Sequence, residues 1–310
     1  MRTKRLGRDG PEISVVGFGA WEAGKSEEWG EPPPDEQIVA AIDVVFETGI
    51  GWIDTAEVYG LGTSEEFVGR VTAGRRDEIH LFTKVAPGPR GTGFRPEEVG
   101  KACRQSLQRL GTDHLDLYQL HWPDDSVPLE DTWGAMAALV DEGLVRNVGV
   151  SNFDKGQLER CLAIRHVDSL QQEFSMFARD DRELIRWCAE QGIGVLAYGP
   201  LAYGLLAGAI SMDTTFPDGD FRGSGETWGA LFAPEVRRRE LGIVDDLGAI
   251  AERLGLTVAQ LALAWTFHQD GVTGAIAGSR NPEHVRTNSA AGEVALESAT
   301  LDEIETLLRR

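Results

Sequence analysis

GWIDTAEVYG, residues 51–60, ends a short apolar run with the carboxylate Asp54 and places Tyr59 five residues further on. Two later segments end in a similar way, because Lys84 closes IHLFTK and His121 closes LDLYQLH. Short apolar runs bounded by polar residues are typical of buried parallel strands, and barrel enzymes carry their sites at the carboxyl ends of such strands. We therefore expect Asp54, Tyr59, Lys84 and His121 to meet at one mouth of a barrel.

The whole chain alternates short strand patterns with helix patterns. Strands are predicted near residues 16–20, 51–54, 79–83, 115–120, 145–150, 169–172, 195–198 and 274–277. Helices are predicted at residues 35–47, 64–69, 96–110, 129–142, 154–164, 180–191, 236–254, 258–268, 282–288 and 301–308. A hairpin turning at Arg8, Asp9 and Gly10 precedes the first strand. This order predicts the α/β class: a (β/α)8 TIM barrel with an N-terminal β-hairpin, formed by a single domain over residues 1–310.

Composition restricts the partners that the chain can have. Its 310 residues include 50 acidic and 30 basic side chains, for a formal charge of −20. This surplus argues against nucleic acid or an anionic membrane as the main partner. No apolar run approaches the roughly 20 residues of a membrane span, and the basic N-terminus lacks the apolar stretch of a signal peptide. We expect a cytoplasmic protein, a monomer or weak homo-oligomer, in which Cys103, Cys161 and Cys188 are reduced, buried thiols.

Two common cofactor motifs are missing from the sequence. The six histidines are scattered without ligand spacing, so no metal site is predicted. Gly17 and Gly19 are followed by no third glycine at the spacing of a dinucleotide-binding loop. We interpret these glycines as allowing a tight strand at the barrel floor.

One long segment, residues 201–234, has no regular pattern. It contains Tyr203, Phe216, Phe221, Trp228 and Phe232 among many glycines. Loops of this length inside a compact domain are usually functional or disordered. Its aromatic residues favour a lid or pocket wall, and the alternative is a mobile excursion with a few anchoring rings.

The four residues at the strand ends suggest one proton-donating chemistry. A free tyrosine is a weak acid at neutral pH, and a neighbouring ammonium lowers its pKa. Asp54 would pair with Lys84 in a dry site, Lys84 would act on Tyr59, and His121 would donate to a substrate oxygen. No side chain can supply hydride, so a nicotinamide is required.

Each of these residues also has a structural interpretation when taken alone. Asp54 could cap a turn with Thr55, and Lys84 could be a surface cation beyond a strand. His121 could be a hydrogen-bonded structural histidine, and Tyr59 a half-buried loop aromatic. The joint arrangement favours the functional interpretation.

The chain resembles the aldo-keto reductase superfamily over nearly its whole length. The resemblance rests on GWIDTAEVYG, on Lys84 and on QLHWP (119–123), and it extends to GLVRNVGVSNF (143–153), AYGPLAYGLLAG (197–208) and AGSRNPEHVRTN (277–288). It implies an eight-stranded barrel and an NADPH-dependent carbonyl reductase without metal. It also implies that Tyr59 is the general acid and that Asp54, Lys84 and His121 are its catalytic partners.

The resemblance also implies the residues that bind NADPH. Ser151, Asn152 and Gln171 would hold the nicotinamide carboxamide, with the adjacent Gln172 as an alternative to Gln171. Tyr198 would stack under the nicotinamide, and Leu201 with its neighbours would line the pyrophosphate. The adenosine end would be bound by Ser279, Arg280, Asn288 and, in part, by His284 or Arg286.

The chain departs from the family pattern at the adenosine end. Gly278 stands where many relatives have lysine, His284 where many have arginine or glutamine, and Thr287 where glutamate is common. The phosphate clamp therefore depends on Ser279 and Arg280, with His284 or Arg286 as a further contact, and NADPH is favoured over NADH.

The function expected from sequence is the reduction of aldehyde or ketone carbonyls to alcohols by hydride transfer from NADPH. Trp21 and Trp122 would form apolar walls around a small carbonyl substrate. One alternative is a nicotinamide-binding regulatory or redox-sensing subunit with slow turnover. A weaker one is a barrel isomerase or lyase using Lys84 as a Schiff base, which leaves the nicotinamide motifs unexplained.

Overall fold

Eight parallel strands form a closed barrel in the computed structural model, which describes residues 1–25, 29–225 and 227–309. The strands pair in chain order, and the last strand pairs with the first to close the cylinder. They are β3 (Val16–Gly19), β4 (Trp52–Asp54), β5 (His80–Val85), β6 (Leu115–Leu120), β7 (Val145–Ser151), β8 (Ser169–Glu173), β9 (Gly194–Tyr198) and β10 (Val272–Ala277). The predicted barrel is confirmed.

Helices surround the barrel and follow its strands. They are α1 (Asp35–Asp43), α2 (Val45–Thr48), α3 (Thr63–Thr72), α4 (Pro96–Leu110), α5 (Leu129–Asp141), α6 (Lys155–Leu162), α7 (Arg182–Glu190), α8 (Pro234–Leu254), α9 (Val258–His268), α10 (Pro282–Ala290) and α11 (Ser298–Leu307). The strands between them are almost entirely buried. Burial on both faces explains why these strands are apolar runs rather than alternating patterns.

The predicted N-terminal hairpin is present, and it covers one end of the barrel. Its strands β1 (Thr3–Arg5) and β2 (Glu12–Ser14) pair antiparallel. The indole Nε1 of Trp52 donates to the carbonyl of Ser14 at 2.8 Å. Inside this end lies a separate apolar cluster, made by Leu6, Ile13, Trp52, Phe82, Leu117 and Leu196. The floor is therefore filled, and the opposite end remains for a site.

Gly17 is required at this floor. A Cβ at this position would lie 2.1 Å from the Trp52 ring, so any side chain would displace the indole. The interpretation of this glycine as one that permits close packing of a strand is consistent with the contact.

Three predicted boundaries differ in an informative way. The helix expected at 35–47 is divided at Val44 into α1 and α2, where two adjacent β-branched residues lower helix propensity. Lys84 lies within β5 rather than after it, and Val85 ends the strand. The segment 201–234 contains short 3-10 turns, among them Ala202–Ala207 and Phe221–Gly223. The remaining boundaries agree within a few residues.

No single helix in the described ranges combines the length and the apolar character needed to cross a membrane. Within the described ranges, α8 and α9 are long and apolar enough only when they are counted as one helix, and a 90° bend separates them.

Candidate active site

Lys84 is completely buried and lies at the centre of the site. Its Nζ donates to Oδ1 of Asp54 at 2.5 Å and to the carbonyl of Thr55 at 2.9 Å. The third interaction of Nζ is with the hydroxyl oxygen of Tyr59, at 3.4 Å. Lys84 is therefore an interior cation, not a surface cation beyond a strand, and it directly joins Asp54 to Tyr59.

Two amide side chains orient the Asp54 carboxylate. Nε2 of Gln171 donates to Oδ2 of Asp54 at 2.8 Å, and Nε2 of Gln119 lies 3.5 Å from the same oxygen. Gln119 is fixed in turn by Ser169, whose hydroxyl donates to its Oε1 at 3.2 Å. Both carboxylate oxygens of Asp54 thus have donors, as a buried charge requires.

Burial and charge act in opposite directions on Lys84. Burial lowers the pKa of its ammonium, while Asp54 and, more weakly, the buried carboxylate of Glu65 raise that pKa. Glu65 sits behind β5, where it accepts from the hydroxyl of Thr83 at 2.6 Å and from Nε of Arg109 at 2.6 Å. Burial has the larger effect, so the pKa of Lys84 lies below its usual value, and the two carboxylates limit the decrease.

His121 lies on the other side of the tyrosine. The Tyr59 and His121 ring centroids are 5.6 Å apart and nearly perpendicular, and the His121 ring stacks on Trp122 at 3.7 Å. Burial, with a contribution from Lys84, holds the pKa of His121 well below its usual value of 6.5. Its buried Nδ1 has no hydrogen-bond partner among the described residues. The imidazole is therefore neutral at physiological pH.

Tyr59 is placed by a glycine-to-glycine contact. Gly60 has a φ of +59°, and a Cβ there would lie 1.5 Å from the carbonyl oxygen of Gly24. A Cβ on Gly24 would lie 2.6 Å from the carbonyl carbon of Tyr59. Neither position can carry a side chain without moving the tyrosine backbone.

Aromatic rings surround the Tyr59 side chain. The Trp21 ring lies 6.2 Å from that of Tyr59, between centroids, and it contacts Trp29 at 5.0 Å, Trp228 at 5.5 Å and Phe221 at 5.6 Å. The predicted pocket residues Trp21 and Trp122 thus lie near Tyr59 and His121, and the segment 201–234 contributes two further rings.

Glu173 anchors that segment to the barrel. Its Oε1 accepts from the hydroxyl of Tyr203 at 2.9 Å, and its Oε2 accepts from Nε1 of Trp228 at 3.1 Å. Burial raises the pKa of Glu173, and these two donors counteract the effect. Ala202 and Tyr203 both have left-handed backbones, with φ of +47° and +54°. Such conformations persist only where surrounding contacts enforce them.

Three predicted cofactor residues meet at the rim beside His121. The side-chain amide of Asn152 donates to the His121 carbonyl at 3.2 Å and to Oγ of Ser151 at 3.0 Å. The Tyr198 hydroxyl donates to Oδ1 of Asn152 at 2.8 Å. Of the two adjacent glutamines, Gln171 turns to Asp54 and Gln172 bonds to Asp181 at 2.7 Å. Gln171 therefore shares the mouth with Ser151, Asn152 and Tyr198.

The residues predicted at the adenosine end follow β10. Oγ of Ser279 lies 3.4 Å from Nδ1 of His284, and Asn288 is buried on α10. Nη2 of Arg280 donates to the Trp29 carbonyl at 2.8 Å, an engagement that nothing in the sequence indicated. Leu201 begins the turn with the left-handed residues, on the loop after β9.

Several residues that support the site through hydrogen bonds are not predicted from sequence. Glu57 is buried and accepts from the amides of Ala86 and Thr92, both at 2.9 Å. It lies in the same decapeptide as Asp54 and Tyr59, which was the available signal. Gln119 stands in the quoted motif QLHWP but was not assigned, and Glu173 had no distinguishing pattern.

The described residues contain no group of three or more histidine, cysteine, aspartate or glutamate side chains placed to hold a metal ion. The buried charges are instead a lysine and carboxylates at the mouth of a (β/α)8 barrel, beside amide and hydroxyl groups. A buried lysine–carboxylate pair next to a tyrosine hydroxyl defines a class of site that can transfer protons.

Comparison with known proteins shows the family of the chain. The family model described as the Aldo/keto reductase family matches residues 15–309, and the chain belongs to this family. The family uses a nicotinamide cofactor. The aldo-keto reductase YhdN of Bacillus subtilis is 35% identical over 96% of this chain and 91% of its own length.

Solved structures agree with this assignment. The glycerol dehydrogenase AKR11B4 from Gluconobacter oxydans superposes with a TM-score of 0.88 at 31% identity, over 99% of this chain and 95% of its own. An aldo/keto reductase from Klebsiella pneumoniae, in complex with NADP and acetate, has a TM-score of 0.76 at 31% identity, over 99% of this chain and 96% of its own.

Proposed function

We propose that this protein reduces aldehyde or ketone carbonyls to alcohols with NADPH, and that Tyr59 is the general acid. The observation that carries the proposal is the buried ammonium of Lys84, which lies 2.5 Å from Asp54 and 3.4 Å from the Tyr59 oxygen. An ion pair with a purely structural role would not need a tyrosine hydroxyl next to it at the carboxyl end of a strand.

Lys84 and Asp54 prepare Tyr59 to give up a proton. A nearby ammonium stabilises the phenolate that remains after the proton leaves. The Asp54 carboxylate offsets the cost of burying that ammonium, and removal of either partner would leave an isolated buried charge. The 3.4 Å separation is long for a hydrogen bond, but such contacts often shorten when substrate binds.

His121 positions the substrate oxygen. A neutral imidazole has one N–H to donate, and it adds no second positive charge next to Lys84. Its stacking on Trp122 fixes the ring next to Tyr59. The carbonyl oxygen would accept from both His121 and Tyr59, and these donors stabilise the negative charge that develops on it.

The rim residues fit a nicotinamide, which supplies the hydride when bound. Its carboxamide needs both donors and acceptors, and Ser151, Asn152 and Gln171 offer hydroxyl and amide groups of both kinds. The three contacts of Asn152 with His121, Ser151 and Tyr198 fix its orientation in advance. The Tyr198 ring, at the end of β9, is the surface on which the nicotinamide would stack.

The phosphates would bind between the turn that follows β9 and the residues that follow β10. Leu201 and Ala202, with φ of −96° and +47°, form a tight turn at that place, in which the Ala202 amide donates to the Gly199 carbonyl at 2.9 Å. Ser279 and Arg280 would bind the adenosine 2′-phosphate, and His284 and Asn288 would bind nearby.

Replacing Arg280 tests the cofactor assignment. Arg280→Ala should weaken NADPH binding by roughly 1.5–3 kcal/mol, the value of a charge-assisted contact, and NADH binding far less. Fluorescence titration with each cofactor measures the two affinities. Equal losses for NADPH and NADH would show that Arg280 does not contact the 2′-phosphate.

The rings around the site suit an apolar carbonyl substrate. Trp21, Trp122, Phe221 and Trp228 supply flat, apolar surfaces, and the polar donors lie together at Tyr59 and His121. Pockets of this kind orient a ligand through a few polar groups and bind the rest through apolar contact. We propose aromatic or alkyl aldehydes and ketones as the substrate class.

NADPH consumption with a panel of aromatic aldehydes tests the reaction. Tyr59→Phe should lose rate by orders of magnitude and retain its affinity for NADPH, because it lacks only the acidic hydroxyl. Equal, negligible rates for both proteins would instead favour a regulatory or redox-sensing subunit that binds the nicotinamide.

A further inference from the structure

Arg280 is held by the segment between β3 and α1. Its Nη2 donates to the carbonyl of Trp29 at 2.8 Å and its Nη1 to the carbonyl of Glu31 at 3.3 Å. Its Nε lies 3.6 Å from Oε2 of Glu22, and both side chains retain only about a fifth of their exposure, 21% for Arg280 and 23% for Glu22. The side-chain amide of Gln37 donates to the backbone carbonyl of Arg280 at 3.0 Å and so also holds Arg280 against this segment.

Basic groups converge on the Glu22 carboxylate. The backbone amide of Arg280 and the charges of Arg280, Arg222 and His284 all act on it. Burial, the largest effect, raises the pKa of Glu22 above its usual value, and these three basic groups counteract the rise only in part. Arg222 is already committed elsewhere, because it binds both oxygens of the buried Asp220, at 2.9 and 2.6 Å. Arg280 is therefore the main ion-pair partner of Glu22.

Position 278, two residues before Arg280, does not supply a second positive charge for the phosphate. Gly278 has no side chain, and a Cβ there would lie 2.4 Å from the carbonyl oxygen of Gly19. A lysine at that position would require the backbone of β3 or of the following loop to move. The charge available to an incoming phosphate thus depends on how far Glu22 neutralises Arg280.

We propose that Glu22 determines cofactor specificity: its carboxylate competes with the 2′-phosphate of NADPH for Arg280 and so narrows the preference for NADPH over NADH. The inference rests on the proposed function, which assigns Arg280 to that phosphate. A carboxylate next to the phosphate is repulsive, whereas the 2′-hydroxyl of NADH can donate to it. Glu22 thus acts against one cofactor and not against the other.

Two small ligands isolate the 2′-phosphate from the rest of the cofactor. Adenosine 2′,5′-bisphosphate and adenosine 5′-monophosphate differ only in that group, and calorimetric titration gives the affinity of each. Glu22→Gln should tighten the bisphosphate by roughly five- to twentyfold, as expected for the loss of one opposing charge, and change the monophosphate by less than about twofold.

The control is a carboxylate of a distant ion pair. Glu303→Gln on α11 removes one negative charge from a pair with Arg253, so it reproduces the change in net charge alone. It should leave the affinity ratio of the two ligands unchanged. If Glu22→Gln does not fold, Glu22→Asp keeps the charge but withdraws it by one methylene, and should raise the ratio by a smaller factor.

The proposal is overturned if the Glu22 variant changes both ligands equally or leaves both unchanged. It is also overturned if the variant weakens the bisphosphate, since Glu22 would then be holding Arg280 in place for the phosphate. These titrations do not require turnover. A protein that shows the predicted ratio but reduces no carbonyl would contradict the proposed function and leave this inference standing.

Discussion

The ammonium group of Lys84 is fully buried, and its interactions govern the chemistry of the site. Burial disfavours its ammonium, and Asp54 and Glu65 favour it. Gln171 and Gln119 then fix the carboxylate that pairs with it. A preorganised ion pair of this kind lets Tyr59 release a proton without rearrangement of solvent.

The depressed pKa of His121 predicts a dependence of stability on pH. Below its usual value of 6.5, the unfolded chain binds a proton at this residue that the folded protein does not bind. Stability should therefore decline as the pH falls below 6.5, by up to about 1.4 kcal/mol per pH unit for this one group, and be unaffected by it at higher pH. Urea denaturation of wild type and His121→Gln from pH 5 to 8 measures the effect. The variant should show the shallower decline, and identical slopes would mean that the pKa of His121 is not depressed in the folded protein.

The Gly24–Gly60 contact predicts that a methyl group can impair the reaction without unfolding the protein. Gly60 and Gly74 both have positive φ, but a Cβ at Gly74 would meet nothing within 4 Å. Alanine at either position costs about 1–2 kcal/mol of backbone strain. Only Gly60→Ala should also displace Tyr59, with a loss of about 100-fold in turnover. Turnover and thermal unfolding of both variants compare the effects, and equal turnover in the two would show that the contact does not position Tyr59.

At the scale of elements, the site has two parts. Barrel closure brings the strand ends together, but it does not determine the position of the one long loop. Asp54, Lys84, His121, Ser151 and Gln171 lie within the last three residues of consecutive strands or directly follow them. Their proximity follows from the closure of the sheet. The segment 201–234 depends instead on particular contacts with Glu173 and Trp21.

Removing the Glu173 anchor should loosen that segment selectively. Glu173→Ala deletes the acceptors of Tyr203 and Trp228, each worth about 1.5–3 kcal/mol as a hydrogen bond to a charge. Amide exchange within residues 202–223 should accelerate by at least about tenfold, with the barrel strands unaffected. Glu183→Ala, on the exposed surface of α7, is the matched control. Unchanged exchange in Glu173→Ala would show that ring packing alone holds the loop.

At the scale of the whole molecule, the sequence predicts the barrel because each strand is a short apolar run followed by a helix with a readable beginning and end. It predicts the neighbourhood of Tyr59, Lys84, Asp54 and His121 because parallel strands end on the same side. It cannot predict how Arg280 is engaged, since its partners include the carbonyls of Trp29 and Glu31, which have no residue signature. It also missed Gln119 and Glu57, whose roles depend on which way a side chain turns. Local pattern thus determines the scaffold, while long-range contacts determine how the site is tuned.

Single-turnover transfer from NADPH deuterated at the reactive carbon of its nicotinamide ring tests the central claim most directly. With an aromatic aldehyde, wild type should place the deuterium on the carbonyl carbon of the alcohol. Tyr59→Phe and Lys84→Met should do so more slowly by orders of magnitude, while the affinity of Tyr59→Phe for NADPH is retained. Transfer by Tyr59→Phe at the wild-type rate, or no deuterium in the alcohol formed by wild type, would contradict the account.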